Sequence, residues 1–203
     1  MSISQLNIDV FRSINDVGKT YQALDPVAIF MAEYMVYVLV LGMLVYWFTR
    51  TTKNRMMMIQ SILAVVLAEV IGKIAGSFYS HYQPFAELSH VNKLVDHAVD
   101  NAFPSDHSII FFAICFSIWL VRKREGWLWL AVACAVGISR IMVGVHYPGD
   151  VLTGALIGFI SALLMHWLVP KLTFLETLLD QYEKIEGKIW PGKPKSEGKY
   201  KNF

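Results

Sequence analysis

The sequence has little charge for its length. Of its 203 residues, 17% are Asp, Glu, Lys or Arg, whereas 55% are hydrophobic. A soluble domain ordinarily carries more charge than this to cover its core. The net charge is only +2 and no long basic run is interleaved with aromatic residues, so nucleic acid is not expected as a partner. The composition predicts that the lipid bilayer is the solvent for most of the chain.

Cysteine is also scarce. Cys115 and Cys134 each lie within an apolar run and show no C-x-x-C spacing, so a disulfide framework is not expected and both should be small buried side chains. A signal peptide is not expected either, because Asp9, Arg12 and Asp16 interrupt the first residues. The first membrane span would then direct the chain to the membrane.

Five apolar segments approach the roughly 20 helical residues that a bilayer core requires. They are Pro26–Phe48, Met56–Tyr79, Ser105–Val121, Trp127–Met142 and Val151–Val169. The third and fourth are short, which indicates that one end of each is buried against protein or opens on an aqueous cavity.

Amphipathic segments flank the five spans. Apolar residues recur at spacings of three and four before the first span, from Ile3 to Tyr21, and after the last, from Phe174 to Ile185. The expected fold is therefore an all-α integral membrane protein, a bundle of about five transmembrane helices. Residues 1–25 would form an interfacial amphipathic helix, residues 26–170 the transmembrane domain, and residues 171–203 a basic cytoplasmic tail, disordered from Gly187 onward.

The positive charge is unevenly distributed about these spans. Thirteen of the 18 Lys and Arg residues fall on one side: Arg50, Lys53, Arg55, Arg122, Lys123, Arg124 and seven lysines from Lys171 to Lys201. The other side holds Arg12, Lys19 and Lys93 in its connecting segments. Because short cytoplasmic loops retain positive charge, the C-terminus is predicted to be cytoplasmic and the connection of residues 80–104 to lie outside the cell.

Ionisable residues inside membrane spans are costly and usually functional. Lys73, His107, Arg140, His146 and Asp150 all lie at the predicted outer ends of spans. A meander of five helices gives no reason for this coincidence unless the residues share a site. An outward-facing site at these helix ends is therefore expected.

Two motifs within this set point to a family. Positions 104–107 read P-S-D-H, and positions 139–150 read S-R, five residues, H, three residues, D. The chain thereby resembles the type 2 phosphatidic acid phosphatase (PAP2) superfamily, which shares its site with vanadium haloperoxidases. Within it, the chain looks most like the bacterial undecaprenyl-diphosphatases of the bacitracin-resistance type. The resemblance extends over residues 73–169.

The first motif of that superfamily, K-x6-R-P, is altered here. Nine residues separate Lys73 from Gln83 and Pro84, so the lysine is displaced by about 4.5 Å along its helix and a neutral amide replaces the arginine. Asp106 also stands where the second motif has glycine. Its carboxylate is expected to turn away from a bound anion, leaving only the backbone N–H toward it.

The resemblance assigns roles that the chemistry of these side chains can meet. His146 would be the nucleophile and form a phosphohistidine, Asp150 would orient its ring, and His107 would serve as general acid and base. Phosphate binding is expected from Arg140, Lys73, Gln83, Ser105, Ser139 and the backbone of Asp106, and Ser105 should also cap the helix whose first N–H groups face the anion.

Some of these residues have simpler explanations. Lys73 follows Glu69 by four residues, so it could be a helical ion-pair partner instead of a phosphate ligand. His81, His90, Asp96, His97 and Asp100 lie in one connection, but their spacing fits no closed zinc pattern, so a solvated loop is expected and no metal or other cofactor. Gly154 and Gly158 indicate close helix packing.

The resemblance implies the activity. The expected substrate is the lipid undecaprenyl pyrophosphate, whose hydrolysis at the bacterial plasma membrane would recycle the carrier lipid for cell-wall synthesis and confer bacitracin resistance. A phosphatidylglycerophosphate or phosphatidate phosphatase is the first alternative, and a membrane transporter the second. A transporter would need charge through the depth of the membrane, whereas most charges here lie at span ends. The oligomeric state is left open.

Overall fold

The computed structural model describes residues 2–190, which form helices and contain no β-strand. The helices are α1 Ile3–Thr20, α2 Asp25–Ile29, α3 Met35–Phe48, α4 Thr52–Phe78, α5 Pro84–Glu87, α6 Asp106–Val121, α7 Lys123–Met142, α8 Pro148–Leu168 and α9 Thr173–Ile189. One continuous helical segment runs from Gln22 to Phe48 and consists of a short helical turn, α2, a π-helical turn at Phe30–Tyr34 and α3.

Four of these elements are long and apolar enough to cross a membrane: Gln22–Phe48, Thr52–Phe78, Lys123–Met142 and Pro148–Lys171. The fifth, α6, has 16 residues and lies at the centre, packed against α4, α7 and α8. Large apolar side chains remain exposed on the outer helices, such as Leu41, Val66 and Leu152. A helix that is apolar on both its buried and its exposed faces is suited to lipid. The predicted all-α membrane bundle of about five helices is confirmed.

Glycines bring α6 and α8 into close contact. A Cβ atom built on Gly154 would lie 2.6 Å from the carbonyl oxygen of Ser105, and one on Gly158 would lie 2.8 Å from the amide nitrogen of Ala113. No larger residue fits at either position without moving the backbone. The close packing predicted for this pair is confirmed, and it fixes the start of α8 beside the start of α6.

The amphipathic helix α1 is joined to the bundle by a buried asparagine. The Asn15 side chain is fully buried and donates to the carbonyl oxygens of Asn92 (3.0 Å) and Met142 (2.8 Å). Its own oxygen accepts from the Asn92 N–H at 2.9 Å. One side chain thus links α1, the connection before α6 and the end of α7.

Replacing Asn15 with Ala is expected to lower the free energy of unfolding by about 1–3 kcal/mol, because it leaves buried backbone groups without hydrogen-bond partners. Thermal unfolding in detergent measures the change. The matched control is Ser13→Ala on the exposed side of the same helix. Equal stability of the two variants would contradict the role given to Asn15.

At the opposite end of the bundle, α9 is held by a buried arginine. The Arg55 guanidinium pairs with Glu186 at 2.7 Å and Glu183 at 3.2 Å. The expectation of disorder from Gly187 is wrong for its first residues, because α9 continues to Ile189, and the basic residues of 191–203 lie outside the described range. Cys115 is buried as expected, but Cys134 is exposed on the apolar outer surface of α7.

Candidate functional site

The two motifs meet at one end of the bundle, called here the site end. The helix α6 begins there, α7 ends there and α8 begins there, so antiparallel packing brings His107, Arg140 and Asp150 together. His107 lies within electrostatic range of Arg140 and His146. These three motif residues therefore lie at the same end of the bundle, although the first motif ends at His107 and the second begins only at Ser139.

A tight loop between α7 and α8 carries His146. Gly144 adopts φ +86°, and a Cβ there would lie 2.8 Å from the carbonyl oxygen of Asn92, so both the turn and the contact require glycine. The N–H groups of Val145 and His146 both donate to the carbonyl oxygen of Arg140, at 3.2 and 3.4 Å. These two hydrogen bonds fix the position of His146 relative to Arg140.

One ring nitrogen of His146 is already engaged. Its Nδ1 lies 2.9 Å from the carbonyl oxygen of Ala102 and 3.6 Å from Oδ2 of Asp150. A carbonyl oxygen only accepts, so Nδ1 carries a proton and the ring's Nε2 keeps its lone pair. The residue is 6% exposed, and this burial lowers the pKa of His146 from its ordinary value. The ring is neutral at physiological pH and able to act as a nucleophile.

Asp150 supports this ring differently from the expectation. Its Oδ2 accepts the Tyr147 N–H at 2.8 Å, which caps the first turn of α8, and its Oδ1 lies 2.9 Å from Nε2 of His81. The nearest acceptor for His146 is the Ala102 carbonyl, and Asp150 is the second. Asp150 therefore faces Nδ1 of His146 together with a backbone carbonyl that the sequence did not indicate.

Arg140 is buried but not fully paired. It is 1% exposed, and its Nη1 donates to the carbonyl oxygen of Ala32 (3.1 Å) and to Oε1 of Glu33 (3.2 Å). Within residues 2–190, its Nε has no hydrogen-bond partner. A buried guanidinium donor without a partner costs free energy unless an anion occupies it. Ala32 and Glu33 thus hold the Arg140 guanidinium in place, and its Nε is a donor available to a phosphate oxygen.

Two further imidazoles, those of His107 and His97, lie near His146 and Arg140. His107 lies in the first turn of α6, and His97 lies in the connection before that helix. The His97 and His146 ring centroids are 6.3 Å apart, and His97 is within electrostatic range of His107 as well. The structure therefore brings three histidines and one arginine to the same place.

The two motif serines are both engaged within the protein. Ser105 occupies the N-cap position of α6, but its hydroxyl accepts from Ser108 (3.1 Å) and caps no backbone N–H, contrary to the expected cap. Ser139 donates to the carbonyl oxygen of Val136 at 2.7 Å. The first-turn N–H groups of α6 consequently have no capping side chain, which leaves them able to meet an anion.

The first motif lies apart from these residues. Gln83 is fully buried, and its amide pairs with both the carboxylate and the backbone N–H of Asp100, so it holds the connection before α6. Lys73 is exposed and lines a separate cavity of about 350 Å³ with Glu69 and Asp106. That cavity touches none of His107, Arg140 and His146, so Lys73 does not share a cavity with them. Asp106 lines the same cavity as Lys73 and also lies within electrostatic range of Arg140.

Four contributors to the site were not identified from the sequence. They are His81, His97, Glu33 and the Ala102 carbonyl. The two histidines lie in the connection expected to be a solvated loop. The one available signal for Glu33 was a carboxylate within an apolar span, which is costly without a partner. Within residues 2–190, no group of three or more His, Cys, Asp and Glu is arranged to hold a metal ion.

The helices and the convergent side chains define a multi-pass membrane protein with a histidine-rich site at one end of its bundle. Comparison with known families then gives the identification. The model of the PAP2 superfamily matches residues 57–174, which include every residue of the two motifs. The chain belongs to the PAP2 superfamily, and the resemblance stated from its motifs is confirmed.

Individual relatives cover most or all of the chain. It is 60% identical over its whole length, and that of the relative, to the Bacitracin transport permease protein BcrC of Bacillus licheniformis. It is 29% identical to the Undecaprenyl-diphosphatase BcrC of Bacillus subtilis, over 91% of this chain and 95% of that one. The crystal structure of Aquifex aeolicus LpxE matches 81% of this chain and 98% of that protein, with 25% identity and a TM-score of 0.62.

Proposed function

We propose that this protein is an undecaprenyl-diphosphatase, a PAP2-type hydrolase that converts undecaprenyl pyrophosphate to undecaprenyl phosphate and inorganic phosphate. The observation that carries the chemistry is the engaged Nδ1 of His146, which leaves Nε2 as a nucleophile beside a buried arginine with a free donor. The substrate is supported by the full-length relationship to BcrC proteins, one of which is named for this activity. Recycling of the carrier lipid would protect the cell from bacitracin.

The reaction would proceed in two balanced steps. The Nε2 lone pair attacks the terminal phosphorus, the bridging P–O bond breaks, and the departing lipid monophosphate takes a proton from His107. Water then attacks the phosphohistidine as His107 accepts its proton, which releases inorganic phosphate. Arg140 and the first N–H groups of α6 would stabilise the charge on the equatorial oxygens. Apart from orienting Nδ1, Asp150 would stabilise the positive charge on the phosphorylated ring.

The terminal phosphate is expected on the extracytoplasmic side of the plasma membrane. Support comes from the opposite end, where Arg50, Lys53 and Arg55 follow α3, Arg122 connects α6 to α7, and Lys123 and Arg124 begin α7. Positive loops of this kind are retained in the cytoplasm. The site end would then face outward and the C-terminus inward.

A transporter is the alternative that the name of one relative suggests. An ion or solute path requires polar or charged groups through the depth of the bundle. Residues 108–121, 127–139 and 151–165 include no Asp, Glu, Lys, Arg or His, so most of α6, α7 and α8 lacks ionisable side chains. In these three helices the ionisable side chains are confined to the helix ends, which favours an enzyme.

The purified protein in detergent is expected to release inorganic phosphate from undecaprenyl pyrophosphate at least about tenfold faster, as kcat/KM, than from phosphatidylglycerophosphate or phosphatidate, a difference of about 1.4 kcal/mol in the transition state. A phosphate-release assay with matched micelle composition measures this ratio. The same protein bearing His146→Asn controls for contaminating phosphatases. A preference for either glycerolipid would overturn the substrate assignment but leave the phosphatase class intact.

A further inference from the structure

His81 forms a hydrogen bond with Asp150, the carboxylate that lies beside the His146 ring. Its Nε2 lies 2.9 Å from Oδ1 of Asp150, and its Nδ1 lies 2.9 Å from the carbonyl oxygen of Tyr82. Both partners are acceptors. A neutral imidazole has a single ring proton and could satisfy only one of them, so two such contacts require the imidazolium cation.

His81 is linked to the His146 ring in two indirect ways, one through its side chain and one through its backbone. Through its side chain it binds Oδ1 of Asp150, whose Oδ2 lies 3.6 Å from Nδ1 of His146. Through its backbone, the His81 carbonyl accepts the Ala102 N–H at 2.9 Å, and the Ala102 carbonyl in turn lies 2.9 Å from the same Nδ1. The two acceptors that face the nucleophile's ring are therefore both held by one residue.

On the basis of the proposed function, we propose that His81 is a cationic positioning residue for phosphoryl transfer. It anchors Asp150 and the Ala102 carbonyl against Nδ1 of His146 and compensates the charge of the carboxylate. Without that compensation, the full negative charge of Asp150 would favour a second proton on His146 and remove the lone pair that attacks phosphorus.

The electrostatic surroundings support this assignment. The hydrogen bond to Asp150 raises the pKa of His81, and the nearby Glu87 acts in the same direction. Tyr79 and Tyr147 pack against the ring at centroid distances of 5.4 and 5.3 Å. The titratable groups that face His146 are Asp150, Arg140, His97 and His107, and of these it is Asp150 that His81 binds.

His81→Gln tests the proposal, because glutamine retains one donor near the Nε2 position and removes the charge. We expect kcat on undecaprenyl pyrophosphate to fall by about tenfold to a hundredfold, with KM within about twofold, because the proposed role has His81 act through Asp150 and not on the substrate directly. Loss of the cation should raise the pKa of His146, so the acidic limb of the kcat/KM profile should move to higher pH. The matched control, His90→Gln in the same connection, should keep the wild-type profile.

A double-mutant cycle separates this role from a purely structural one. In an Asp150→Asn background, His81→Gln should cost much less than in the wild type, since its side chain acts through that carboxylate. Equal costs in both backgrounds, an unmoved acidic limb, or a change in KM alone would overturn the proposal.

A measurement on the wild type keeps the proposal testable if the variant does not fold. ¹⁵N NMR of histidine-labelled protein should show one histidine protonated on both ring nitrogens at neutral pH, and its signals should be absent from His81→Asn or His81→Gln spectra. Finding only neutral histidines would refute the cationic role. If the wild type releases no phosphate from any lipid, the proposed function is wrong. If the wild type is active and the His81→Gln protein has the same pH profile, only the role proposed for His81 is wrong.

Discussion

His146→Asn and His146→Ala are both expected to lower phosphate release from undecaprenyl pyrophosphate by more than about a thousandfold, because neither variant has a nucleophile to form the covalent intermediate. The asparagine variant retains a donor near Nδ1 for the Ala102 carbonyl, so the buried acceptor stays paired. Its loss of activity can therefore be assigned to chemistry and not to misfolding. Single-turnover phosphate release in detergent measures both.

Two controls accompany the nucleophile variants. His90→Asn alters an exposed histidine in the connection before α6 and should retain wild-type turnover. The melting temperature of His146→Asn should stay close to that of the wild type. Phosphatase activity within about tenfold of wild type in a folded His146→Asn protein would remove His146 from the role of nucleophile.

Arg140→Lys is expected to reduce kcat by about a hundredfold to a thousandfold, the usual cost of removing one donor that stabilises transition-state charge. Lysine keeps the positive charge and could still pair with Glu33, but it has no equivalent of the free Nε donor. Arg124→Lys, an exposed residue at the opposite end of the bundle, is the matched control. Steady-state kinetics on the same lipid give the comparison, and equal rates for the two variants would exclude Arg140 from charge stabilisation.

Part of this site could be predicted because the relevant spacings are local. Arg140 and His146 are separated by one tight turn, and Asp150 follows within the first turn of α8, so their proximity depends on little beyond the ends of two helices. The pairing of His107 with this segment depended on the meander of spans, in which successive helices alternate direction. That topology could be inferred from hydropathy alone.

The remaining contributors depend on contacts between segments far apart in sequence. Glu33 pairs with a residue 107 positions away, and His81 with one 69 positions away. Hydropathy gives the helices but not their rotation, which decides whether a buried carboxylate faces Arg140. The Ala102 carbonyl is a backbone group and has no signature in the sequence at all.

For Lys73 and Gln83, in contrast, the sequence suggested a contact with phosphate that the observed side-chain positions do not support. Family motifs suggested phosphate contacts for both, yet Gln83 pairs with Asp100 and Lys73 lines a separate cavity. A displacement of three residues along a helix preserves the approximate face of a side chain but changes its depth. The motif alone does not say which cavity a displaced side chain will line, and here Lys73 lines the one that also holds Glu69 and Asp106.

The most direct test of the account is to trap the covalent intermediate. The protein is mixed with undecaprenyl pyrophosphate labelled with ³²P at its terminal phosphate, quenched within one turnover in alkali, and digested. We predict acid-labile, alkali-stable label on the peptide that contains His146, and none in the His146→Asn protein. Label on the peptide containing His107 or His97, or a burst of free phosphate with no labelled protein at any quench time, would contradict the mechanism.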